Sequence, residues 1–213
     1  MKTVLITGGT VRLGKTIAER LRADGWRVLT SSHRADAGAD IVADLTDDLG
    51  AVKLYAKTLE MLGGNPPDAL VNNAALFIGE DAAIASVNSI APQKLTMLMA
   101  GRETGVGAVV NILDATVGKS YTQAPAAYIA SKRELKDYTL SNAIMFAATL
   151  RVNAVAPGSI LAPTGVHEQA DDILLERRPV PEDVAAAVSY LLAAESTTGT
   201  IIPVDAGSHL LVI

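Results

Sequence analysis

The chain has 213 residues, 49% of them hydrophobic, a size and apolar content that fit one domain with a sizeable core, residues 1–213. A formal charge of −5 with no basic run argues against a nucleic-acid footprint, and the lack of any cysteine excludes disulfides, thiolate metal sites and cysteine nucleophiles. No apolar run reaches the roughly 18 to 20 residues that cross a bilayer, and the strand-like run that starts at Val4 leaves no room for a cleaved signal ahead of it, so a cytoplasmic location is expected.

Apolar, strand-like runs fall at residues 3–7, 28–30, 40–43, 69–71, 106–113, 151–155 and 200–204. Helical patterns fit residues 13–24, 47–62, 82–104, 126–148 and 181–194, with Gly, Pro, Asp and Asn in the gaps. Strands alternating with helices mark an α/β fold, and near-continuous apolar strands imply a parallel sheet covered on both faces. The fold expected is therefore a single-domain, Rossmann-type doubly wound parallel sheet, with its ligand crevice at the carboxyl ends of the strands. The least regular stretch, 157–181, is the candidate for a mobile flap over that crevice.

Between the first strand and the first helix lie Thr7-Gly8-Gly9-Thr10-Val11-Arg12-Leu13-Gly14. Glycines there permit a tight turn and close backbone approach to a pyrophosphate, and the helix N-terminus adds N–H groups and a positive dipole end. The same stretch through Lys15 and Thr16 also satisfies the phosphate-loop pattern of nucleotide triphosphatases, which leaves the other motifs unexplained. The second strand ends in Ser31-Ser32-His33-Arg34, and Arg34 with Ser31 and His33 suits a 2′-phosphate, which favours NADPH. Asp36, nearby, keeps NADH as an alternative. Tyr128 and Lys132 stand four positions apart, on one face of a helix, where the ammonium can stabilise a phenolate and lower the tyrosine pKa toward the range of a general acid.

Together with Asp44-Leu45, Asn72-Asn73-Ala74-Ala75, Asn88, Pro157-Gly158 and Val204-Asp205-Ala206-Gly207, these motifs resemble the short-chain dehydrogenase/reductase family across essentially the whole chain. The resemblance implies that Asp44 and Leu45 flank the adenine, that the backbone of Asn72, Asn73 and Ala74 meets the adenosine ribose, and that Asn88 holds a water linked to Lys132. Lys132 would also bind the nicotinamide ribose. Two departures, Arg12 at the middle glycine of the turn and Asp114 at the usual catalytic serine, resemble pteridine reductases and dihydromonapterin reductases. In that subgroup the arginine contacts cofactor phosphate and pterin, the aspartate joins tyrosine and lysine in catalysis, and a phenylalanine at the position of Phe77 stacks on the pterin.

Each of these residues has a plainer reading as well. Phe77 could fill core, Arg12 could replace a glycine of undemanding conformation, and Asp114 could cap a turn. Tyr121 and Tyr138 are expected to pack or face solvent, and Glu168, Gln169, Asp171 and Asp172 to form a solvated acidic face. His167 and His209 have no partner at metal-ligand spacing, so no metal is expected. The function expected is NADPH-dependent reduction of a dihydropterin, with a carbonyl reductase for another ketone or a non-catalytic NADPH-binding regulator as alternatives. Small residues Ala143, Ala147 and Ala148 on the 126–148 helix suggest pairing across a two-fold axis, in a homotetramer or dimer.

Overall fold

The computed structural model describes residues 1–103, 105–118, 124–160 and 173–211. Tyr121, His167, Glu168, Gln169, Asp171 and Asp172 lie outside them, as does the middle of the stretch read as a flap. Seven strands form one all-parallel sheet: β1 (Thr3–Thr7), β2 (Arg27–Ser32), β3 (Ile41–Val42), β4 (Ala69–Asn72), β5 (Gly107–Ile112), β6 (Leu150–Pro157) and β7 (Ile201–Val204). Their order is β3-β2-β1-β4-β5-β6-β7, so the winding reverses between β1 and β4. That reversal opens a crevice at the carboxyl ends of the strands.

Because successive strand side chains point to opposite faces, each strand feeds two cores. Val4 and Ile6 of β1 pack with α1 (Arg12–Ala23) and α6 (Pro181–Ala193), whereas Leu5 packs with α2 (Gly50–Met61) and α4 (Ala91–Ala100). No helix among the described residues is long and apolar enough to cross a membrane.

Where sequence and structure differ, hydrogen bonding explains the difference. Residues 82–104 were expected to form one helix; the chain instead runs through α3 (Asp81–Ala85), a π-helical turn (Ser86–Ile90) and α4, which stops before Gly101. Pro92 has no N–H to give the Asn88 carbonyl in α-register, and the turn widens there. The expected strand at 40–43 shortens to two residues because the Asp40 carboxylate accepts from the Thr30 N–H (2.8 Å) and hydroxyl (2.7 Å). Finally α5 (Ala126–Met145) ends three residues early, with the Phe146 carbonyl accepting from the N–H groups of Thr149 and Leu150 in the turn into β6.

Candidate active site

At the carboxyl end of β1, the Thr7 hydroxyl accepts from the N–H groups of Asn73 and Ala74, both at 3.0 Å. In return the Asn73 side-chain amide donates to the carbonyls of Thr7 (2.9 Å) and Gly8 (3.1 Å). The glycine turn and the loop after β4 are thereby joined. Gly8 sits at φ 64°, and a Cβ on Gly14 would collide with the Gly8 carbonyl oxygen and the Asn73 amide nitrogen. Arg12 also lies in the left-handed region, at φ 50°. The reading of Arg12 as a substitute at an undemanding position is therefore wrong: a non-glycine residue there stores strain of about 1 to 3 kcal/mol. Leu13 follows in the first turn of α1 and packs against the core. Lys15 is exposed and sits 3.8 Å from Glu19, one helical turn on, rather than folding over the loop as a phosphate-loop lysine would.

At the end of β2, Arg34 makes a two-pronged ion pair with Asp36, at 2.9 and 2.7 Å, on the exposed surface. The guanidinium holds the Asp36 carboxyl below the usual carboxylate range. Ser31 is buried and supports the turn through its carbonyl, which accepts from the Gly9 N–H; the more accessible hydroxyl is that of Ser32, which accepts from the Arg34 N–H at 3.1 Å. The expectation of a cationic pocket from Ser31, His33 and Arg34 is thus corrected in part: His33 and Arg34 are exposed, Arg34 is already paired, and Ser31 faces inward. Asp44 is exposed, and the Thr46 N–H and hydroxyl hold its carboxyl below the usual range. Leu45 is buried in the core.

The floor of the crevice is polar. Asn72, 2% exposed, donates to Asn111 across β4 and β5 (2.8 Å), and Asn111 donates to the Thr139 hydroxyl of α5 (2.9 Å). The Asn72 Oδ1 atom is buried without a hydrogen-bond partner among the described residues.

Asp114 follows β5, and Tyr128 and Lys132 lie on the first two turns of α5. The Tyr128 hydroxyl donates to Asp114 Oδ2 at 2.8 Å. Asp114 Oδ1 accepts from the Thr116 N–H (2.8 Å) and hydroxyl (2.6 Å). Lys132, 2% exposed, donates its ammonium to the Ile112 carbonyl at 2.8 Å and lies 5.8 Å from the Tyr128 ring centroid. Burial pushes the Tyr128 phenol well above its usual pKa, and the Asp114 carboxylate pushes it further the same way. Burial lowers the Lys132 ammonium to about 8, against the pull of Asp114. The expectation of a tyrosine pKa lowered toward the range of a general acid is corrected: burial and the Asp114 carboxylate raise it, and the Lys132 ammonium is directed to Ile112.

Asn88, in the π-helical turn, uses its side chain as a clamp. Its Oδ1 accepts from the Leu76 N–H (2.8 Å), and its Nδ2 donates to the Leu76 carbonyl (2.9 Å) and the Ser131 hydroxyl (3.0 Å). Ser131 in turn donates to the Tyr128 carbonyl at 2.7 Å. The clamp fixes Leu76, and next to it Phe77 meets the Tyr128 ring edge-on, centroids 4.8 Å apart. Phe77 does pack on apolar neighbours, but at Tyr128 rather than in the main core. At the far side Pro157 ends β6, and the Gly158 N–H donates to the Val204 carbonyl at 3.0 Å. A Cβ on Gly158 would press on Asp205, whose buried carboxylate accepts from the N–H groups of Gly207 and His209 and meets the His209 ring at 2.9 Å.

The structure therefore brings Asp114, Tyr128, Lys132, Asn88 and Phe77 together at the ends of β4 and β5, with Thr7, Gly8, Arg12, Gly14, Asn73 and Ala74 beside them. Thr116, Ser131, Asn111 and Thr139 escaped the sequence reading. Thr116 had a usable signal, a hydroxyl two residues after an Asp; the others depend on contacts between distant segments. Tyr138, half-buried, donates to Glu134 one turn earlier on α5.

The family described as Enoyl-(Acyl carrier protein) reductase matches residues 11–209. The chain is 31% identical to the FolM alternative dihydrofolate reductase 1 of Brucella canis, solved in complex with NADP, covering 98% of this chain and 94% of that one at a TM-score of 0.85. The Brucella suis protein of the same name, also solved with NADP, gives 31% identity and a TM-score of 0.85, covering 98% of this chain and 95% of that one. Among curated proteins, the NADP-dependent (R)-specific alcohol dehydrogenase of Lentilactobacillus kefiri is 27% identical over 97% of this chain and 96% of its own length. With that family match, those relatives and the seven-stranded parallel sheet, the chain belongs to the short-chain dehydrogenase/reductase family of oxidoreductases.

Proposed function

We propose that the protein is an NADPH-dependent reductase that converts a dihydropterin to a tetrahydropterin, with Tyr128 delivering the proton. The observation that carries the proposal is an aromatic ring, Phe77, held 4.8 Å from the ring of a tyrosine that is hydrogen-bonded to Asp114. An aromatic wall beside a proton donor suits a flat, nitrogen-rich heterocycle; stacking contributes roughly 1 to 3 kcal/mol in the comparable case of nucleic-acid bases. The 31% identity to alternative dihydrofolate reductases supports the same reading.

The residues present fit a dinucleotide. Helix α1 starts with no side-chain cap and no acidic residue in its first turn, so its dipole end suits an external anion. The 8–14 backbone with Arg12 would hold the pyrophosphate, and His33 and Arg34 a 2′-phosphate once the guanidinium leaves Asp36. Asp44 and Leu45 would flank the adenine, the Asn72–Ala74 backbone the adenosine ribose, and Pro157, Gly158 and Lys132 the nicotinamide end. When bound, NADPH supplies the hydride.

The phenol stays protonated up to high pH, so Tyr128 holds a proton ready for the substrate nitrogen. Asp114 accepts the hydrogen bond of that hydroxyl and holds it in place, and the phenolate left after transfer regains its proton from solvent. The buried Lys132 ammonium, 5.8 Å from the ring centroid, would offset part of the Asp114 charge once the phenolate is left behind. Asn88 fixes Phe77 through Leu76 and anchors the proton path toward solvent.

Likeness to an alcohol dehydrogenase favours a second reading, a carbonyl reductase using the same Tyr128 and Lys132. NADPH oxidation with dihydropterins and with simple ketones, for wild type and Phe77→Ala, separates the two. Pterin turnover that depends on Phe77 supports the proposal; ketone-only turnover indifferent to Phe77 supports the alternative.

A further inference from the structure

We infer that Thr116 is a positioning residue for proton delivery: its hydroxyl holds the Asp114 carboxylate so that one oxygen alone, Oδ2, faces the Tyr128 hydroxyl. The inference rests on the reductase reading above.

Three hydrogen bonds define the arrangement. Thr116 gives Asp114 Oδ1 two donors, its N–H at 2.8 Å and its hydroxyl at 2.6 Å, and Tyr128 gives Oδ2 its one donor among the described residues at 2.8 Å. With Oδ1 doubly engaged, rotation of the carboxylate about its Cβ–Cγ bond breaks all three contacts together, which fixes the acceptor in line with the phenol. Lys132 cannot take over this orienting role, since its ammonium is turned to the Ile112 carbonyl.

The turn that carries Thr116 is itself docked on the catalytic helix. Residues Ala115–Gly118 form a single 3-10 turn, closed by the Val117 N–H donating to the Asp114 carbonyl at 3.2 Å. Arg133, next to Lys132 on α5, donates from Nε to the Val117 carbonyl at 3.3 Å. Asp114 and Tyr128 are therefore registered to each other twice, once through their own hydrogen bond and once through the Thr116 turn and Arg133. Without the Thr116 hydroxyl one N–H remains on Oδ1, and the carboxylate samples orientations that leave the phenol without its acceptor.

The test measures kcat, the KM values for NADPH and dihydropterin, and the solvent deuterium isotope effect on kcat for Thr116→Val and Thr116→Ser, with Asp114→Asn and Tyr128→Phe in parallel. Thr116→Val is expected to lower kcat about tenfold, equivalent to about 1.4 kcal/mol, and to leave KM for NADPH within about twofold of wild type. Its solvent isotope effect should rise, as proton transfer becomes more rate-limiting, and Thr116→Ser should recover kcat to within about threefold. Thr116→Ala, which also lacks the hydroxyl, carries the same test if the valine variant is unstable.

Unchanged kcat and isotope effect in Thr116→Val, while Asp114→Asn and Tyr128→Phe lose turnover, overturns the role of Thr116 and leaves the reaction standing. Failure of Thr116→Ser to recover kcat overturns it as well. Full turnover in both Asp114→Asn and Tyr128→Phe removes the reductase reading, and the inference falls with it.

Discussion

The Tyr128 hydroxyl donates to Asp114 Oδ2 at 2.8 Å, so the proton assigned to the substrate points at a carboxylate. Tyr128 is buried and Asp114 half-buried beside Lys132, and both burial and the Asp114 charge keep the phenol protonated. In the proposed reaction such a tyrosine is a stored acid whose release depends on Asp114.

Lys132 gives the account a pH dependence with a defined sign. Burial lowers its ammonium from the ordinary 10.5 to about 8 in the folded protein. In the proposed reaction the cation that offsets the Asp114 charge is lost above about 8, so turnover should fall, and Lys132→Met should lack that limb. For stability, the unfolded chain keeps this proton up to about 10.5 while the native chain has released it, so the unfolded state binds more protons in that window and the Lys132 contribution rises with pH. The melting temperature of wild type minus that of Lys132→Met should therefore increase from about pH 8 toward about pH 10. A flat difference contradicts the buried-lysine assignment.

Asn88→Ala removes three side-chain hydrogen bonds and leaves both polar groups of Leu76 without those partners. Stability should drop by about 2 to 3 kcal/mol in denaturant titration. Because Phe77 follows Leu76, KM for the dihydropterin should rise more than KM for NADPH. Equal increases in the two would place Asn88 outside the control of Phe77.

Arg12 occupies a left-handed backbone conformation that glycine adopts freely. Arg12→Gly should relieve strain and raise thermal stability, by no more than about 1 kcal/mol after the added freedom of the unfolded chain is counted. NADPH binding, followed by titration calorimetry, should weaken at the same time. Stability gained with NADPH affinity untouched would show that the arginine is not held there for the cofactor.

Arg34 is already engaged by Asp36, and a 2′-phosphate must compete with that carboxylate. Asp36→Ala should therefore tighten NADPH binding, and Arg34→Ala should erode the preference for NADPH over NADH. The pair is exposed and its own energy small, so stability should change little in either variant. Dissociation constants for both nucleotides in the three proteins decide the point.

Most of the sheet was legible because its strands are runs of Val, Ile, Leu and Ala between glycine and asparagine turns, and those runs can only be buried on both faces. The glycine turn was legible for the same physical reason: a side chain at Gly14 has nowhere to go. What escaped was partner choice. Spacing placed Lys132 near Tyr128 correctly, but only the fold shows the ammonium reaching the Ile112 carbonyl and the phenol reaching Asp114. Arg34 reads in the sequence as a phosphate ligand without its pairing to Asp36, and Ser31 reads as its neighbour in that pocket although its place in β2 buries it. The π-helical turn at Asn88 was hidden because its cause, the missing donor of Pro92, acts four residues away.

The most direct test of the central claim is dihydropterin-dependent oxidation of NADPH by the wild-type protein and by Tyr128→Phe, followed by absorbance. The account predicts steady NADPH consumption by wild type and a loss of about a hundredfold or more in kcat for Tyr128→Phe with KM for NADPH nearly unchanged. Undiminished turnover in Tyr128→Phe, or no pterin-dependent oxidation by wild type, would contradict it.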